Sequence, residues 1–131
     1  MLTRLIYASE ATDAFGPGDL EALLAAARRG NAQRALTGLL VFDRRAFLQV
    51  LEGEGEQLSE VFCRIAADPR HRRVLVIEAR AIDERLFADW TMGFAAADAA
   101  GAALFLRFAG SARFDPHGLS AASALGLLRA R

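Results

Sequence analysis

Leu36-Thr37-Gly38-Leu39-Leu40-Val41-Phe42 and Ala46-Phe47-Leu48-Gln49-Val50-Leu51 are two β-rich runs joined by the polar Asp43-Arg44-Arg45. Two such runs around a short polar turn predict an antiparallel hairpin. Even spacing places Phe47, Gln49 and Leu51 on one face of the second strand, so Gln49 is either half-exposed or buried among apolar neighbours. A buried amide without a partner costs on the order of 1 to 3 kcal/mol, so burial there calls for a partner. The alternation is expected to break at Gly53.

Upstream, Leu2 to Ser9 reads as a first strand, closed by a Gly- and Pro-containing loop to Gly18. Asp19 can cap a helix in which Leu20, Leu23, Leu24 and Ala27 recur at helical spacing, and Arg28-Arg29-Gly30 predicts a basic last turn with a glycine stop. Downstream, Leu58, Val61, Phe62 and Ile65 mark a second amphipathic helix ending near Asp68-Pro69, because proline disfavours helix at the residue before it. Val74 to Ala79 and Trp90 to Phe94 supply two further strands. The order βαββαββ predicts an α+β ferredoxin-like sandwich, a mixed five-stranded sheet with two helices on one face. Alanine-rich helical sequence, about Asp98 to Ala109 and His117 to Ala130, is expected to cap the other face. The division expected is therefore an α+β unit over 1–95 and a helical extension over 96–131.

The chain has 131 residues, a formal net charge of zero and no lysine among its 16 basic residues. Such a balance lacks the field of a duplex nucleic-acid binder, and the all-arginine usage reads as coding bias. The lone Cys63 excludes an internal disulfide, which makes a cytoplasmic address the default. The longest apolar stretch, Ala99 to Leu106, is too short to span a bilayer, so no membrane partner is expected.

Tyr7, Asn31 and Trp90 are the only residues of their kinds. Taken singly each has an ordinary explanation. Tyr7 fits a strand position that packs its ring and wets its hydroxyl, Asn31 after Gly30 fits a left-handed helix cap, and Trp90 and Met92 alternate as core would. Catalytic patterns are missing: His71 and His117 have no ligand partner at helical spacing, no nucleophile elbow or phosphate loop occurs, and Cys63 lies mid-helix. No enzymatic activity is expected.

Leu5-Ile6-Tyr7-Ala8-Ser9, Asn31 with Leu36-Thr37-Gly38-Leu39-Leu40, Phe47 to Gly53, Asp68-Pro69-Arg70-His71 and Trp90-Thr91-Met92-Gly93 together closely resemble the BLUF family, blue-light sensors using FAD. The resemblance covers about residues 2 to 94. It implies a non-covalently bound flavin between the two helices, FAD in the family, with FMN left open as an alternative. By the same resemblance Tyr7 and Gln49 form the photoactive pair, and Asn31 meets the ring edge. Leu23, Leu24 and Ile65 become the apolar walls, and Ser9 and Met92 join the site. Asp68, Arg70 and His71 serve the far side of the ring or the ribityl chain, while Arg28 or Arg29 meets phosphate.

The implied photochemistry is electron and proton transfer from Tyr7 followed by rearrangement of Gln49, with the change passed through the Trp90 and Met92 strand to the tail. The pattern leaves open which of Trp90 and Met92 faces inward. Gly30 departs from the family, which often carries a polar or aromatic side chain there, and this opens one wall. Output is expected through a separate partner or a change in self-association. The competing readings are a flavin-free ferredoxin-like interaction module and an acylphosphatase-type enzyme; the latter lacks an arginine in the Ser9 to Gly18 loop.

Overall fold

A computed structural model describes residues 1–43, 45–96 and 102–130. Two strands, β1 (Leu2–Ala11) and β3 (Ala46–Glu54), lie side by side, antiparallel, inside a five-stranded sheet. β4 (His71–Ala81) flanks β1, and β2 (Thr37–Phe42) flanks β3, both antiparallel. β5 (Gly93–Ala96) adds to β2 in parallel, giving the order β4-β1-β3-β2-β5. This is the expected ferredoxin-like α+β sandwich with one added strand. β1 and β4 outrun their sequence boundaries because they pair with each other from Thr3↔Ala81 to Ala11↔His71.

Alternate residues of the central strands feed two cores. Leu5, Leu40, Phe47 and Leu51 pack beneath α1 (Asp19–Arg34) and α2 (Gly55–Ala67). On the reverse face Ile6, Val41, Leu48 and Val50 meet Phe105, Phe114, Leu127 and Leu128 of the tail. α3 (Ala102–Phe108), a 3₁₀ turn (Pro116–Gly118) and α4 (Ala121–Arg129) thus cover the second face as expected, with somewhat shorter helices. Asp98, where the first tail helix was expected to start, lies outside the described residues, as does Arg44 of the hairpin turn. The two tail helices touch closely: a Cβ on Gly126 would stand 2.5 Å from Phe108 Cε1.

Four further points differ from expectation. α1 does not stop at Gly30 but runs one turn further, and its left-handed terminus is Ala35 at φ 54°. Glycine costs about 1 kcal/mol in a helix relative to alanine; here burial of Asn31 and Leu36 on either side of the last turn outweighs it. Asn31 is therefore an interior helical residue, and Asn31 O receives the Leu36 N–H at 2.9 Å. At the other end Gly18 (φ 84°) precedes the helix, and the Asp19 carboxylate turns back to accept from Gly16 N at 2.6 Å rather than capping the first turn. β3 continues through Gly53, where a Cβ would stand 2.2 Å from Leu36 Cδ2, so close packing rather than a chain break calls for glycine.

The fourth difference concerns Trp90 and Met92, which precede β5 instead of alternating on it. Their segment is held largely by side chains: Asn31 Nδ2 donates to Thr91 O at 2.7 Å and Arg28 Nε to Met92 O at 3.0 Å. Met92 is buried toward the helices, whereas Trp90 is 45% exposed. The connection leading there is pinned midway by Glu52. That carboxylate is fully buried, accepts from Leu86 N and from Phe87 N at 2.7 Å, and faces Arg4 Nη1 at 3.3 Å.

Candidate functional site

Between α1, α2 and the sheet lies a cavity of about 290 Å³. Each helix lines it with one face. Ala27, Gly30, Asn31 and Arg34 follow the i, i+3, i+4, i+7 spacing on α1, and Val61, Arg64, Ile65 and Asp68 repeat it from α2. Tyr7, Leu40, Gln49 and Leu51 form the sheet side, with Phe15, Phe47, Arg70 and His71 at its margin.

Antiparallel register sets Tyr7 opposite Gln49 on the same sheet face. Both are 4% exposed, and the Tyr7 hydroxyl donates to Gln49 Oε1. The other end of the amide, Nε2, donates to Met92 Sδ at 3.3 Å, a weak acceptor. Burial, with a smaller contribution from the Asp68 carboxylate, raises the Tyr7 phenol well above its ordinary range, so it stays a protonated donor. Phe62 packs on its ring at 5.4 Å between centroids.

His71 closes the side near α2. Its Nδ1 contacts Ser9 Oγ at 2.8 Å and its Nε2 contacts Ile65 O. Asp68 and Arg70 form a fork, with Arg70 Nη2 donating to Asp68 Oδ2 at 2.6 Å and Arg70 Nη1 lying 3.7 Å from Asp19 Oδ1. The Arg70 hydrogen bond holds the Asp68 carboxyl below its usual range against partial burial, and the same hydrogen bond raises Arg70.

Of the residues singled out from sequence, Tyr7, Asn31 and Gln49 line the cavity together with Leu23 and Ile65. Asp68, Arg70 and His71 line it too. Four others stand one step behind or aside. Ser9 supports His71, Met92 supports Gln49, Arg28 binds the Met92 carbonyl, and Leu24 points into the core instead of the cavity. Arg29 is likewise not among the lining residues. Sequence reasoning missed Arg34 because the helix was expected to end at Gly30, and missed Arg64 although it shares a helical face with Ile65 and Val61. A Cβ on Gly30 would stand 3.7 Å from Arg34 Nη1, so the wall expected to be open is flanked by a guanidinium.

Among the described residues no cluster of His, Cys, Asp and Glu is placed to hold a metal ion, and no helix is long and apolar enough to cross a membrane. Known proteins share the fold. The chain is similar to the photoactivated adenylate cyclase subunit beta of Euglena longa, 38% identical over 92 residues that make up 70% of this chain and 11% of that protein. It thus spans about a ninth of the length of that curated relative. In structure it is similar to BlsA in its photo-activated state, with a TM-score of 0.91 and 30% identity over 99% of this chain and 94% of the other. It is also similar to Klebsiella pneumoniae BlrP1 with FMN and cyclic diGMP, with a TM-score of 0.71 and 38% identity over 82% of this chain and 30% of that one. The family described as BLUF, sensors of blue-light using FAD, matches residues 2–93, and with that match over most of its length the chain belongs to the BLUF family of blue-light flavin photoreceptors.

Proposed function

We propose that the cavity between α1 and α2 is the flavin site, that Tyr7 and Gln49 are its photoactive pair, and that FAD is the flavin. The observation that carries this reading is the Tyr7 hydroxyl donating to Gln49 Oε1 in the wall of the cavity, both side chains otherwise buried. The donor set fits a flavin. A planar tricyclic ring needs apolar walls, which Leu23, Val61 and Ile65 offer, and hydrogen-bonding groups at its polar edge, which Asn31 and Gln49 offer. The cavity suits a ring better than a whole dinucleotide, which makes FMN the alternative cofactor.

A bound flavin would supply absorption of blue light and an acceptor for one electron and one proton. Tyr7 is the group that gives up an electron and its hydroxyl proton and later takes both back. Its proton is already directed along a hydrogen bond to Gln49. While Tyr7 is altered, the Gln49 amide loses the donor that fixes its Oε1, and only a thioether restrains its Nε2. A side chain with an acceptor and a donor on one end can then settle in a second arrangement. Because a buried polar network is costly to leave half-satisfied, the two arrangements are discrete.

The readout proposed runs from Gln49 through Met92 Sδ to the segment before β5, and from there to the tail over residues 96–131. Phe87, on the connection between β4 and β5, already packs with Phe105 and Leu127 of the tail. The tail passes the change to a separate protein partner or to a second copy of the chain; no catalysis by this chain is invoked. The test is the visible spectrum in the dark and after blue illumination. A flavin spectrum that shifts slightly red and returns supports the reading, and a colourless or inert protein after reconstitution with FAD overturns it.

A further inference from the structure

β1 and β3 carry a second cross-strand pair three residues along from Tyr7 and Gln49. Arg4 stands opposite Glu52, on the face toward the tail, and the proposed photochemistry does not use it. Glu52 is fully buried, and its carboxylate accepts from Leu86 N at 3.0 Å and from Phe87 N at 2.7 Å. The grip is returned by the neighbouring side chain. Arg85 Nη1 donates to Glu52 O at 3.0 Å and to Thr37 Oγ1 at 2.8 Å, and Arg85 Nη2 donates to Ala35 O at 2.7 Å. Residues 85–87 are thus clasped to β3, to the start of β2 and to the end of α1. Charge-assisted hydrogen bonds are the strong ones, and a satisfied buried network holds a single geometry.

The same connection is fastened again at 90–92. Gly38 N donates to Trp90 O at 3.0 Å, Asn31 Nδ2 to Thr91 O, Arg28 Nε to Met92 O, and Gln49 Nε2 to Met92 Sδ. Only Ala88 and Asp89 lie between the two fastenings. At no more than about 3.6 Å of reach per residue, so short a span has little slack, and a shift at Met92 pulls on Phe87. Resting on the reading of Gln49 as photoactive, we infer that Glu52 and Arg85 are positioning residues for the dark arrangement. By clasping 85–87 they draw Met92 Sδ back onto Gln49 Nε2, and so set how fast the lit arrangement returns. Neither residue lines the cavity, so the clasp acts through the strap and not through the flavin.

The test is the dark decay of the red shift in the flavin-loaded full chain after blue illumination. Glu52→Gln keeps one acceptor oxygen and leaves Arg4 a second carboxylate, since Glu78 Oε1 lies 3.6 Å from Arg4 Nε. Arg85→Gln opens the clasp from its half-buried side, where water can serve the freed carbonyls, and decides the matter if the Glu52 variant fails to fold. Both should keep the size of the shift and slow its decay about threefold or more, the effect of one lost hydrogen bond. Ile6→Ala, on the same face of β1, weakens the fold without loosening the clasp and should decay at the wild-type rate. Wild-type or faster decay in either clasp variant that keeps its shift overturns this inference alone. Equal slowing in Ile6→Ala also overturns it, because slow return would then follow from any weakened fold. Loss of the shift in Arg85→Gln overturns it too, in favour of a part in the photochemistry itself. Wild-type protein without any shift sinks the flavin reading and this inference with it.

Discussion

The two faces of one sheet have been put to different uses by alternate residues of the same strands. On the face toward the tail, Ile6, Leu48 and Val50 are fully buried against Phe105, Leu127 and Leu128. On the face toward α1 and α2, their chain neighbours Tyr7 and Gln49 are equally buried but polar, and they border a cavity. Strand period two makes this separation possible: one position packs dry and the next borders the cavity. A close-packed face has one arrangement, whereas a polar pair next to open space can have two.

The comparison breaks most sharply at Tyr7. Tyr7→Phe keeps the ring that Phe62 packs against and removes the hydroxyl that donates to Gln49 Oε1. The expected outcome is retained flavin and complete loss of the light-induced red shift, read by absorption spectroscopy; Gln49→Leu should behave alike. An unchanged shift in Tyr7→Phe removes it from the photochemistry. The neighbouring substitution tests the other face. Ile6→Ala should destabilise the protein by about 2 to 5 kcal/mol in denaturant unfolding, the usual cost of a cavity at a fully buried aliphatic residue. Its folded fraction should still show the red shift. A lost shift would mean that the faces are not separable.

Asn31 sharpens the comparison from the helix side. Its Nδ2 is committed to Thr91 O, and its amide lines the cavity. Asn31→Ala should weaken flavin retention by about 1 to 3 kcal/mol, the loss for an unpaired buried polar edge, measured as the flavin dissociation constant. Equal affinity would take Asn31 out of the site.

How much of this was readable beforehand follows the same division. Element order, the two helices and the polar oddities Tyr7 and Gln49 were legible, because alternation and helical spacing are local signals. What depended on distant partners was not. The end of α1 was misplaced since a glycine signals a stop locally, while burial of Asn31 and Leu36 carries the helix on to Arg34. That extra turn is what brings Arg34 to the cavity. Trp90 and Met92 alternate as a strand would, yet Arg28 and Asn31 of α1 capture the backbone at Met92 and Thr91. Glu52 was legible only as a residue near a strand end; its partners, the N–H groups of Leu86 and Phe87, come from a connection with no pattern of its own.

The smallest effect expected concerns the Asp68 and Arg70 fork at the cavity margin. Its carboxylate is held below the usual range chiefly by the Arg70 side-chain hydrogen bond, with partial burial opposing and the Arg70 backbone N–H, the Arg70 charge and His71 assisting. A depressed carboxyl stabilises the fold above the unfolded carboxyl value, about 3.9, and loses that contribution as pH falls through the lower folded value. The side chain is 26% exposed, so solvent screens the pair and the contribution at neutral pH should not exceed about 1 kcal/mol. Asp68→Asn should therefore be less stable than wild type by that amount at pH 7 and indistinguishable from it in strong acid. A difference that grew on acidification would assign the Asp68 effect to packing, and would place this margin with the dry face of the sheet.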